Sequence, residues 1–267
     1  MRSYLSMFRI RFLHGLQYRA AALAGVATQF AWGFMTILMY SAFYKANSAA
    51  FPMGFQALAS YIWLQQAFLA LFMAWFLDED IFASIREGHV AYELVRPLDL
   101  YGVWFVRNAA NRLSRAVLRC MPILLVAAFL PAPYGLILPQ SLPAFLWFLV
   151  TAALGYLVVV AYCMLIYIAT LYTLNPMGVR IVAVSMADFL AGGIIPLPFL
   201  PDGVRQVLEL TPFASMQNLP LFVYSGNVAG TELLYKALLQ VFWLFVLVLA
   251  GRLWMKAALK KTVVQGG

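Results

Sequence analysis

Charge is the scarcest property of this chain. Asp, Glu, Lys and Arg together make up 10% of its 267 residues, and 64% are hydrophobic; a soluble domain carries about 25% charged residues. No polar block is long enough to build such a domain. Cysteine is nearly absent as well. Cys120 and Cys163 both fall in apolar runs, which argues against a disulfide framework and makes buried free thiols the expectation. His14 and His89 are the only histidines, and both lie outside the apolar runs. The chain has no G-x-x-x-x-G-K-[ST] loop, no H-E-x-x-H, no C-x-x-C and no G-x-S-x-G. It is therefore expected to hold no ATP on a phosphate loop, to bind no metal and to catalyse no reaction. The net charge of +8 is not a nucleic-acid signal, because the basic residues flank apolar runs instead of forming one patch. The arginine-rich first twenty residues lack the short apolar core and small-residue site of a cleavable signal.

Apolar sequence of hydrocarbon length is what the chain has in abundance. A crossing helix needs about 20 apolar residues. Such stretches are expected at 20–44, 57–77, 113–130, 143–171, 180–195 and 233–251, which gives an all-α integral membrane protein of six transmembrane helices in a single domain. Pro131, Pro133, Gly135, Pro139 and Pro143 mark the loop between the third and fourth; Asn175 and Pro176 mark the turn before the fifth. Residues 1–20 place Leu5, Phe8, Phe12 and Leu16 at helical spacing with Arg2, Arg9, Arg11 and Arg19 elsewhere. That pattern fits an interfacial amphipathic helix with its apolar side toward lipid. Residues 198–231 are too polar and too broken by Pro201, Pro212 and Pro220 to cross; short re-entrant or interfacial helices on the outer face are the expectation. With six crossings, fifteen of the eighteen basic residues fall on the side of the two termini, which the positive-inside rule places in the cytoplasm.

One long polar stretch interrupts this pattern. Residues 78–119 hold Asp78, Glu79, Asp80, Arg86, Glu87, His89, Glu93, Arg96, Asp99, Arg107, Arg112, Arg115 and Arg119. So many charges cannot enter lipid, so the cytoplasmic segment 78–112 is expected to sit in water. Its centre is amphipathic, cut by Gly88 and stopped by Pro97.

This centre carries a resemblance. Ile85-Arg-Glu-Gly88 followed by Glu93-Leu-Val-Arg-Pro-Leu98 resembles the segment between spans two and three of ABC-2-type ABC transporter permeases, and Gly192 to Pro201 followed by Thr211 and Pro212 is similar to their broken segment between spans five and six. The likeness is to the short six-span branch without a fused ATPase. It implies a non-catalytic permease subunit of an ATP-driven exporter, in a bacterial-type inner membrane. The subunit would pair with an identical or homologous permease, and ATP and magnesium would reside on two separate ATPase subunits. It implies a coupling helix over 84–94 that contacts the ATPase through Ile85, Arg86, Glu87, His89, Val90, Tyr92, Glu93 and Leu94. The implied cargo is a drug, a toxic organic cation or a lipid-like molecule.

Two further features bear on transport. Asp188 is the one acid well inside an expected span. An ionisable group there is a functional hypothesis by default, so Asp188 is a candidate lining of the substrate path, with pairing inside the bundle or a shifted span as alternatives. Ala183, Ala187 and Ala191 repeat at four-residue spacing and fit either a dimer interface or packing within the chain. The alternative function is an ion-coupled secondary transporter working without an ATPase, although such folds commonly show internal repeats and several buried ionisable groups.

Overall fold

A computed structural model describes residues 2–173 and 175–261; the tail 262–267, expected on the cytoplasmic side, lies outside the described residues. Every regular element among them is helical. In chain order these are α1 (Arg2–Gly15), α2 (Arg19–Ala46), α3 (Phe55–Ala67), α4 (Leu69–Phe72), α5 (Glu79–Arg86), α6 (Val90–Leu94), α7 (Leu100–Phe129), α8 (Leu142–Thr173), α9 (Pro176–Leu190), α10 (Asp202–Glu209), α11 (Asn218–Tyr224) and α12 (Gly230–Lys261). Among the described residues three helices are long and apolar enough to cross a bilayer: α2, α8 and α12. This is the helical architecture of a membrane protein.

The remaining three apolar stretches do not form uninterrupted apolar helices, and each departs from the expectation for its own reason. The stretch expected at 57–77 is divided at Phe68 into α3 and α4 and then leaves the helix at Met73, turning at Ala74 and Trp75 before the cap of α5 at Asp78. Where α4 ends, Arg112 of α7 enters the core and donates to the carbonyls of Met73 at 2.7 Å, Ala70 at 3.3 Å and Ala74 at 3.4 Å. A helix that ends away from water needs donors for its last carbonyls, and one guanidinium supplies them. The third stretch is the C-terminal half of α7, whose N-terminal half carries Arg107 and Arg112. The fifth is only the 15 residues of α9, stopped where Gly192 takes φ +78°.

α8 is the central post. It packs against α12, α11 and α9, and Val158, Val159, Cys163, Met164, Tyr167 and Ile168 on it are fully buried. The segment 198–231 forms α10 and α11; all seven residues of α11 are buried, against α8 and α3. At the other end, α1 does not lie free. It runs beside α7 in the same direction, with Tyr4 against Gly102 and Gly15 against Ser114. A Cβ at Gly15 would stand 2.0 Å from the Ser114 hydroxyl, so a larger residue there would force the helices apart. The apolar stripe read as lipid-facing is thus split: Phe8, Phe12 and Leu16 are partly covered, while Leu5, Ile10 and Leu13 are the exposed apolar residues.

Candidate functional site

The polar segment folds into an elbow with a buried root and an exposed tip. At the root, the Asp78 side chain caps α5 by accepting from the Asp80 amide at 3.1 Å. Its carboxylate also receives Arg107 in a two-point contact, Nε to Oδ2 at 2.7 Å and Nη2 to Oδ1 at 3.0 Å, and Asn111 Nδ2 at 2.8 Å. Arg107 reaches on to Asp80 at 2.7 Å. Asp78 and Arg107 are each 8% exposed, so neither charge is left to water. The Asp78 amide donates to the Tyr167 hydroxyl of α8 at 2.7 Å, Asn108 Nδ2 donates to the same oxygen at 2.8 Å, and Arg112 Nε donates to Asn108 Oδ1 at 2.8 Å. Arg112 completes the chain with its three carbonyls and the Cys163 sulfur at 3.0 Å. One connected polar network therefore ties α5 to α7, α8 and the end of α4.

The expected coupling helix over 84–94 is two short helices instead. Gly88 sits at φ +73° between α5 and α6, a conformation open to glycine and costly for other residues. The eight residues assigned to partner contact also divide. Ile85 and Val90 are buried with Ile81, Phe82, Trp104 and Tyr167, so they anchor the elbow. Glu93 turns inward as well, accepting from Ser84 Oγ at 2.9 Å and Trp104 Nε1 at 2.8 Å. Arg86, Glu87, His89, Tyr92 and Leu94 remain on the surface, with Tyr92 70% exposed. His89 Nδ1 lies 3.3 Å from Glu87 Oε2. The adjoining Val95, 82% exposed, belongs to the same face and was missed; an apolar residue between Leu94 and Arg96 in a charged segment was its signal.

Asp188 opens onto a second feature, a cavity of about 560 Å³ between α2, α3–α4 and α9. Trp32, Met35 and Met39 line one wall and Leu69, Met73 and Trp75 another. Three polar side chains converge on it without hydrogen-bond partners: both amide atoms of Gln29, Oδ1 of Asp188 and Nε of Arg119. Gln29, 3% exposed, was not singled out, although it is the one amide in the whole of α2. Arg119 also lines a more polar cavity of about 380 Å³ bounded by Arg11, His14, Asp78, Asp80 and Arg115, so one guanidinium stands between the two spaces. It packs 5.5 Å from the Phe76 ring centroid and directly over Gly25, where an added Cβ would lie 2.5 Å from its Cζ.

The alanine stripe is used inside the chain. Ala187 and Ala191 are buried with residues of α8, and the Ala183 carbonyl accepts from Tyr162 at 2.8 Å. These contacts match the packing alternative for Ala187 and Ala191; the outward face of α9 presents Ile181, Val182, Met186 and Phe189. Among the described residues no group of three or more His, Cys, Asp or Glu side chains could hold a metal ion. No protein-family description and no curated protein sequence matches this chain.

Proposed function

We propose that this chain is the membrane-spanning permease subunit of an ATP-driven exporter of the ABC-2 type, resident in a bacterial-type cytoplasmic membrane with both termini on the cytoplasmic side. In this reading α2, α8 and α12 cross as continuous helices, while α3–α4, the apolar half of α7, and α9 with the segment after it complete six crossings in interrupted form. Non-helical backbone at membrane depth is tolerated where protein donors satisfy it, and Arg112 is such a donor. α1 lines the inner surface beside α7, and α10–α11 form the outer broken segment. Two permease chains, identical or homologous, share the path; two separate ATPase subunits carry ATP and magnesium. The chain itself performs no catalysis.

The observation that carries this reading is the elbow. A tip exposing Tyr92, Leu94 and Val95 among charges is joined through Asp78, Arg107 and Tyr167 to the helices of the bundle. Force applied at the tip has a rigid route inward, because the buried ion pair and its hydrogen bonds leave the root no slack. The cavity at Asp188, with aromatic and thioether walls and an unpartnered carboxylate oxygen, suits an amphipathic organic cation. ATP binding on the partner would bias the path between inward and outward states through differential affinity.

A second reading rests on the same carboxylate. A half-buried acid with an unpartnered oxygen is what an ion-coupled carrier would protonate. One experiment separates the two. The tagged chain is purified from native membranes and reconstituted with whatever copurifies. Recovery of an ATPase, with ATP-dependent uptake of an organic cation into inverted vesicles, supports the exporter. No ATPase, together with transport that follows a proton gradient without ATP, establishes the carrier instead.

A further inference from the structure

A cleft of about 640 Å³ lies away from both cavities, between α1, the N-terminal end of α7 and the C-terminal end of α12. It sits where the apolar run of α12 gives way to Arg252, Lys256 and Lys260. Its walls are apolar on the side nearer the bundle, from Phe105, Val106, Val248 and Met255, and cationic at the mouth, from Arg252 and Lys256. Arg252 rests 5.7 Å from the Tyr101 ring centroid, and neither cation has a carboxylate within ion-pair distance among the described residues. The one acid lining the cleft, Asp99, is engaged, its Oδ2 accepting from the Gly102 amide at 2.9 Å. Tyr101 is 2% exposed, and its hydroxyl has no hydrogen-bond partner. Burial pushes this phenol up to about 12, so it remains a neutral donor at physiological pH.

We propose that this cleft binds an anionic phospholipid of the surrounding leaflet, its headgroup phosphate held by Arg252 and Lys256 and one acyl chain lying against Phe105, Val106 and Val248. Two cations without a carboxylate partner match a phosphate, and apolar walls lining the same cleft match the chain attached to it. A free inorganic anion would leave those walls without an occupant. The α12 register puts the phosphate at the level where a crossing helix meets the headgroups. The assignment requires only that the chain sits in a bilayer, and it stands whether or not an ATPase drives transport.

Native mass spectrometry of the full chain released from nanodiscs of equal phosphatidylglycerol and phosphatidylcholine tests the site. The wild type should retain phosphatidylglycerol selectively. Arg252→Gln with Lys256→Gln should lower that retention about thirty-fold, from roughly fivefold for each basic residue near an anionic surface. Lys256→Gln alone should lower it about fivefold with the melting temperature kept, which gives a readout if the double variant folds poorly. Lys260→Gln, at the same helix end but outside the cleft, should change nothing. Equal retention of the two lipids, unchanged retention in the double variant, an equal loss in Lys260→Gln, or displacement of the lipid by millimolar inorganic phosphate would each overturn the assignment.

Discussion

Two groups of polar side chains are withdrawn from water in this protein, and they are treated in opposite ways. Asp78, Arg107, Asn108 and Arg112 form one closed circuit in which every charge meets an opposite charge, a carbonyl or a hydroxyl. Gln29, Asp188 and Arg119 face a common cavity and leave four polar atoms with no partner between them. An unpaired buried polar group costs free energy on the order of 1–3 kcal/mol, and folding alone gives no reason to keep three of them around one space. The contrast separates a group that holds the protein together from one whose polar demand the fold leaves unmet.

The largest effect should come from opening the closed circuit. Arg107→Leu strands the Asp78 carboxylate, and removing one member of a buried ion pair costs about 3–5 kcal/mol; thermal unfolding in detergent should show the loss, together with poor membrane yield. Arg112→Leu should do comparable damage, because the last carbonyls of α4 lose their donors. A variant that kept wild-type stability after either change would show that the circuit is not structural and would dissolve the comparison.

Next comes a pair of substitutions within the elbow itself. Glu93→Lys removes the acceptor shared by Ser84 and Trp104 and should cost about 2–3 kcal/mol, as for a hydrogen-bonded charge. Glu87→Lys lies on the exposed tip and should stay within about 0.5 kcal/mol of wild type, yet weaken retention of the ATPase in copurification. If the two variants behaved alike in both assays, the division between root and tip would be wrong.

The smallest expected change in stability, with the most specific functional outcome, belongs to the open group. Gln29→Leu and Asp188→Asn should leave the melting temperature unchanged or slightly raised, since each removes an unmet polar demand. Uptake of organic cations should fall about tenfold for Asp188→Asn, the equivalent of about 1.4 kcal/mol of lost attraction, while uptake of neutral analogues holds. A destabilised Asp188→Asn would mean that its carboxylate is structural after all.

How far the sequence could be read follows from where each signal resides. The runs that became α2, α8 and α12 announce themselves by length and composition, which are local properties. The end of α4 does not, because the donor that meets its last carbonyls is a guanidinium some forty residues further along the chain. Arg107, Asn108, Asn111 and Arg112 fall on one helical face, yet among so many arginines this looked like topology and not like a core. Glu93 was read as surface for the same reason: Ser84 and Trp104, which turn it inward, become neighbours only after the elbow folds. Asp188 stood out because nothing acidic surrounds it, whereas Gln29, carrying no charge, passed unnoticed.

Gly25 has a consequence for where the Arg119 guanidinium comes to rest. Arg119 can rest between the two cavities only because α2 lacks a methyl group at that point. Alanine there would push aside the flexible end of the guanidinium and leave the backbone in place. The position of the guanidinium is thus written on a helix that contributes no charge to either cavity, and one carbon atom could shift it without altering the electrostatic sign of the spaces beside it.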